Sequence, residues 1–142
     1  MSLVLVPIDG STRSDRAVDV LVERLRPKPG ARVQLLYVHE PPLRYGKVLL
    51  FQRRDDVDAF RARRAFDVMR AAAARFEAAG IPASTHSEEG ELYPTIAKVA
   101  TRIGASEVVL GVRSSWLARL GAALVRRLRP LETLHVPVTY LP

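Results

Sequence analysis

The chain has 142 residues, long enough for one domain with a real core, expected to span residues 1–142; 48% are hydrophobic and 26% charged, as in an ordinary globular protein. No run approaches the roughly 18 apolar residues of a membrane span, and the absence of cysteine excludes disulfides and thiolate chemistry, which fits the cytoplasm. The net charge of +7 invites polyanionic partners, but arginines on solvated helix faces are the favoured account, and nothing resembles a recognition helix or an aromatic stacking platform for nucleic acid.

Leu3-Val4-Leu5-Val6-Pro7-Ile8 is a short apolar run that predicts a buried strand over 3–8 and stops at Asp9-Gly10-Ser11. The run has no basic start and is too short for a secretory signal. Val18, Leu21, Val22 and Leu25 recur at helical spacing and predict a helix over 13–26, with Thr12 and Asp15 as a capping box and Pro27, Pro29 and Gly30 closing it. A second strand is expected over 32–38. The segment from Glu40 to Asp55 opens on Pro41-Pro42 and carries Val48-Leu49-Leu50-Phe51; a loop this long is expected to be a lid, a binding loop or disordered, and its apolar run to pack on its own domain or on a partner.

A second helix is expected from Asp56 to Ala79, with Phe66, Met69, Ala73 and Phe76 as its inner stripe. Strands over 83–87, 106–112 and 136–141 complete the set. Between them lie a helix marked by Ile96, Val99, Ala100 and Ile103 and one marked by Leu117, Leu120, Leu124 and Leu128. Strands alternating with helices predict an α/β fold: a five-stranded parallel open sheet of order 3-2-1-4-5 with helices on both faces.

In that order strands one and four are neighbours from which the chain departs in opposite directions, so their carboxyl ends flank a switch-point crevice. Asp9-Gly10-Ser11 forms one wall, with a carboxylate, a permissive glycine and a hydroxyl. Gly111-Val112-Arg113-Ser114-Ser115 forms the other, where serines, backbone N–H groups and a helix N-terminus favour an anion. Asp9-Gly10-Ser11 also reads as a tight turn with a helix cap, and both readings hold together.

Several segments resemble the universal stress protein family, over nearly the whole chain. Val6-Pro7-Ile8-Asp9-Gly10-Ser11 is similar to its opening strand and turn, and Val33-Gln34-Leu35-Leu36-Tyr37-Val38 to its second strand. Gly90-Glu91-Leu92, Gly104-Ala105-Ser106-Glu107-Val108-Val109-Leu110-Gly111 and Val136-Pro137-Val138 follow in the family's order. The resemblance implies a Rossmann-like, adenine nucleotide alpha hydrolase-like fold. It also implies nucleotide contacts at Pro7, Ile8, Asp9, Gly10, Ser11 and Val38, with Asp9 toward the ribose and Val38 toward the base.

Nucleotide-binding members carry Gly-x2-Gly-x9-Gly-Ser/Thr after strand four. Here Gly111 fills the first place, but Ser114 stands at the second and Leu124-Val125 where Gly-Ser belongs. Aligning Gly121-Ala122 instead leaves nine residues, 112–120, between the outer glycines, three fewer than the motif. A Cβ at Ser114 restricts φ and crowds a phosphate. The implied site (Gly111, Arg113, Ser114, Gly121, Ala122 on this wall) is therefore degraded, and no cofactor is expected. ATP is the alternative, held if Arg113, Arg119 or Arg126 replaces the lost backbone contacts.

No catalytic constellation or metal-ligand spacing appears. His39, His86 and His135 lie far apart, and His86 with Glu88 and Glu89 is a poor metal set. Trp116 covers the degraded loop or anchors the fourth helix. The resemblance implies a homodimer through the last strand, where Val136, Val138 and Tyr140 alternate as self-pairing requires. The expected function is a non-enzymatic, homodimeric stress-response or regulatory module with an unidentified protein partner. The alternative is a Mg-ATP-binding member with weak ATPase activity.

Overall fold

The computed structural model describes residues 2–40, 54–111, 129–131 and 134–141. It is an open sheet of five strands in the order β3-β2-β1-β4-β5. The strands are β1 (Ser2–Pro7), β2 (Ala31–His39), β3 (Ala83–Glu89), β4 (Glu107–Gly111) and β5 (Val138–Leu141), and every pairing is parallel. The helices are α1 (Thr12–Leu25), α2 (Arg54–Ala78) and α3 (Leu92–Ile103), and residues 129–131 are also helical. The predicted fold class and strand order hold.

The central strands are apolar on both faces because helices cover both. Val4, Val6, Val33, Leu35 and Val109 face α1 and α2 and pack with Val18, Leu21, Leu25, Met69 and Phe76. Leu5, Leu36, Val108 and Leu110 point the other way, onto Ile96, Val99, Ala100 and Leu131. The alternation along one strand thus feeds two cores. Among the described residues, no helix is long and apolar enough to cross a membrane.

Three local expectations need correction. α1 begins on Ser11, whose hydroxyl accepts the Ser14 N–H at 3.2 Å. Thr12 is the first helical residue, so Thr12 and Asp15 form no capping box; Asp15 serves the first turn by its charge. On α2, Phe66 is 56% exposed. The true inner stripe is Ala65, Met69, Ala72, Ala73 and Phe76, a face rotated by one residue and made mostly of alanine.

β5 starts at Val138, two residues later than expected. Pro137 has no N–H to give, yet its carbonyl accepts the Val108 N–H at 2.9 Å and so sets the register of the pairing. The Glu40–Asp55 loop lies outside the described residues from 41 to 53, as does the helix expected from Leu117, Leu120, Leu124 and Leu128, since residues 112–128 are not described.

Candidate functional site

β1 and β4 are paired; the chain leaves β1 into α1, which packs on one face of the sheet, while α3 packs on the other. The two exits open a crevice at the carboxyl end of the sheet, as the fold requires. Its volume is about 190 Å³. Ile8, Val38, Ile96 and Leu110 make its apolar floor, Pro7, Asp9, Ser11, Arg13 and Ser14 one wall, Leu92 and Tyr93 another, and Gly111 the exit of β4.

The β1 turn is held by its own polar groups. The Ser11 N–H donates to Asp9 Oδ1 at 2.8 Å, and the Asp9 N–H donates to the buried Ser14 hydroxyl at 3.3 Å. The Ile8 N–H still donates to Leu36 O, so the sheet ladder runs up to the edge of the crevice. Asp9 is thereby fixed at the mouth with its carboxylate exposed. A carboxylate in that place accepts from ligand hydroxyls or amines.

Gly10 does not line the crevice. Its φ is +80°, and a Cβ there would meet Val68 Cγ2 of α2 at 2.8 Å. Its role is to let the turn pass under α2. At Gly111 the missing side chain admits α1: a Cβ would stand 2.8 Å from the Arg13 carbonyl oxygen and 3.1 Å from Ala17 Cβ. The expectation that Gly111 makes room for a ligand is thus joined by a packing reason. Its bareness lets the first turn of α1 settle on the end of β4.

Of the predicted site residues, Pro7, Ile8, Asp9, Ser11, Val38 and Gly111 are brought together around one cavity. Arg113, Ser114, Gly121 and Ala122 lie outside the described residues, with Arg119, Arg126 and Trp116. Sequence reasoning missed Arg13, Ser14, Leu92, Tyr93, Ile96 and Leu110. The signal was present for Leu92 and Tyr93, which open a helix directly after the Gly90-Glu91 turn at the end of β3. In this fold such strand-end turns converge on one rim.

The remaining titratable clusters lie elsewhere. Glu88 takes Arg102 at 3.1 Å, His86 at 3.3 Å and Lys98 at 3.5 Å. Hydrogen bonding from Arg102 holds its carboxyl below the ordinary value despite the opposing effect of burial, helped by the charges of Arg102 and Lys98 and a hydrogen bond from His86. Two cations thus occupy the carboxylate that the His86–Glu88–Glu89 reading offered to a metal. No group of three metal-ligating side chains occurs among the described residues.

A family model described as the universal stress protein family matches residues 1–125. The chain belongs to the universal stress protein family. A universal stress protein family member from Burkholderia pseudomallei is 27% identical, covering 99% of this chain and 96% of that one, with a TM-score of 0.71. A member from Arabidopsis thaliana with AMP bound is 15% identical over 99% and 91% of the two chains, with a TM-score of 0.69. The protein from Archaeoglobus fulgidus in complex with dAMP is 20% identical over 100% and 98%, with a TM-score of 0.64. The last two likenesses concern the fold. No curated protein sequence matches the chain.

Proposed function

We propose that this universal stress protein is a non-enzymatic, homodimeric regulatory module of the cytoplasm. In this reading its crevice retains the nucleoside-binding wall of the fold and has lost the grip for a triphosphate. One observation carries the reading. The residues matching the family's ribose and base contacts, Asp9 and Val38, share a single crevice with Gly111, whereas the glycine spacing after Gly111 is too short for the phosphate motif. The crevice, at about 190 Å³, is smaller than the roughly 300–1,000 Å³ that encloses a drug-sized ligand. It suits a base and ribose better than a whole nucleoside triphosphate. Two structural neighbours hold adenine nucleoside monophosphates, AMP and dAMP.

The second reading, a Mg-ATP site with weak ATPase activity, is favoured by Asp9, a carboxylate at the mouth of the crevice. Thermal unfolding with AMP and with Mg-ATP separates the two. A ligand at a hundred times its dissociation constant adds about 2.7 kcal/mol of stability. The proposal expects AMP at millimolar concentration to raise the unfolding temperature and Mg-ATP to raise it less, with no phosphate released. A larger shift with Mg-ATP, accompanied by phosphate release, refutes it.

A further inference from the structure

The crevice has two unlike halves. The β1 turn gives it hydroxyls and the Asp9 carboxylate, while the α3 side is apolar. Val38, Leu92 and Tyr93 pack against the buried cluster that holds Leu36, Ile96 and Leu110, and all three also line the cavity. Tyr93 is the one aromatic side chain among the described lining residues. It is half-buried: it packs on the core and still borders the cavity. Its place is fixed by the turn before it. The Gly90 N–H donates to His39 O at 3.1 Å, which ties the start of α3 to the end of β2. The Thr95 N–H donates to Glu91 O at 3.0 Å and closes the first helical turn, with Thr95 buried beneath it. Val38 directly precedes His39 in β2, so Val38 and Tyr93 are held on one rim.

We propose that Tyr93 is the platform on which the base of a nucleotide stacks, and the residue that makes the crevice prefer a purine to a pyrimidine. The inference rests on the nucleotide reading of this crevice given above. A flat ring gains more from an aromatic face, in an offset stack, than from aliphatic side chains alone. The two fused rings of a purine cover more of that face than the single ring of a pyrimidine. Val38, Leu92, Ile96 and Leu110 carry no side-chain donor or acceptor for a base edge, so on this side discrimination falls to stacking. Asp9 belongs to the polar half, so a base on Tyr93 leaves its sugar toward the β1 turn.

Calorimetric titration of AMP and of UMP into the wild type, Tyr93→Phe, Tyr93→Leu and Tyr93→Met tests the platform. Sugar and phosphate are the same in both ligands, so the margin between them reports the base. The wild type is expected to bind AMP about tenfold more tightly than UMP, and Tyr93→Phe, which keeps the ring, to hold that margin. Tyr93→Leu and Tyr93→Met fill the place with apolar side chains that have no flat face, and both should bring AMP to within about threefold of UMP. A margin that survives in either of these folded variants, or that Tyr93→Phe loses as they do, overturns the platform and leaves the crevice reading intact. So does a wild type that binds UMP as tightly as AMP or more tightly. A wild type that binds neither removes the crevice reading and the platform together.

Discussion

Glu107 ties three elements together at the amino end of the sheet. Its carboxylate lies 2.6 Å from the Arg24 guanidinium of α1 and 2.6 Å from the Thr139 hydroxyl of β5, which donates to it. Burial pushes the carboxyl up, but hydrogen bonds from Arg24 and Thr139, with the charges of Arg24 and Lys28, outweigh it and hold the group below its ordinary value. A folded value below the unfolded one stabilises the protein above the ordinary carboxylate range, and that contribution drains away as pH falls through the depressed folded value. Glu107→Gln should therefore cost about 1–2 kcal/mol at neutral pH, and the gap from wild type should shrink in acid. Urea unfolding at pH 7 and below pH 4 measures both, and a gap that widens in acid contradicts the assignment. At this scale the sequence was a partial guide. Asp9 and Gly111 stood out because strand-end carboxylates and glycines are conspicuous in this fold. Arg13 and Tyr93 did not, since an arginine or a tyrosine in a first helical turn looks like any solvated side chain until the sheet order brings the two turns together.

Among the elements, long apolar runs and helical periodicities were legible wherever burial is two-sided. β1, β2 and β4 carry few polar residues because helices cover both faces. α2 shows where pattern fails: alanines fill its buried stripe and Phe66 lies outside it, so residue size misled the assignment of the face. Polar β3 was recognisable only in part, being an edge strand exposed along most of its length. β5 occupies the opposite edge. Val136 and Val138 pack into the core of their own subunit, while Tyr140 is 39% exposed. A second copy pairing along β5 would meet the strand's backbone edge and Tyr140 rather than an apolar face. Sedimentation at micromolar concentration should show a dimer that Tyr140→Asp weakens. A wild-type monomer under those conditions contradicts the pairing.

For the whole molecule, alternating strands and helices in the right order were enough to derive the doubly wound sheet, and the sheet order places the crevice. The distribution of roles around that crevice was less legible. The sequence advertises the loop after β4, through its broken glycine spacing, as the place where phosphate binding is decided. The structure adds a packing role at the same corner, where the first turn of α1 rests on Gly111 at the end of β4. The scaffold fixes the crevice, while chemistry at such sites is commonly set by the loops around it.

A crystal structure of the protein grown with AMP tests the account most directly. The account predicts a nucleotide in the β1–β4 crevice, its ribose against Asp9 and its base toward Val38. A triphosphate nucleotide with its phosphates wrapped by main-chain amides between residues 111 and 122, or AMP bound elsewhere with the crevice empty, would contradict it.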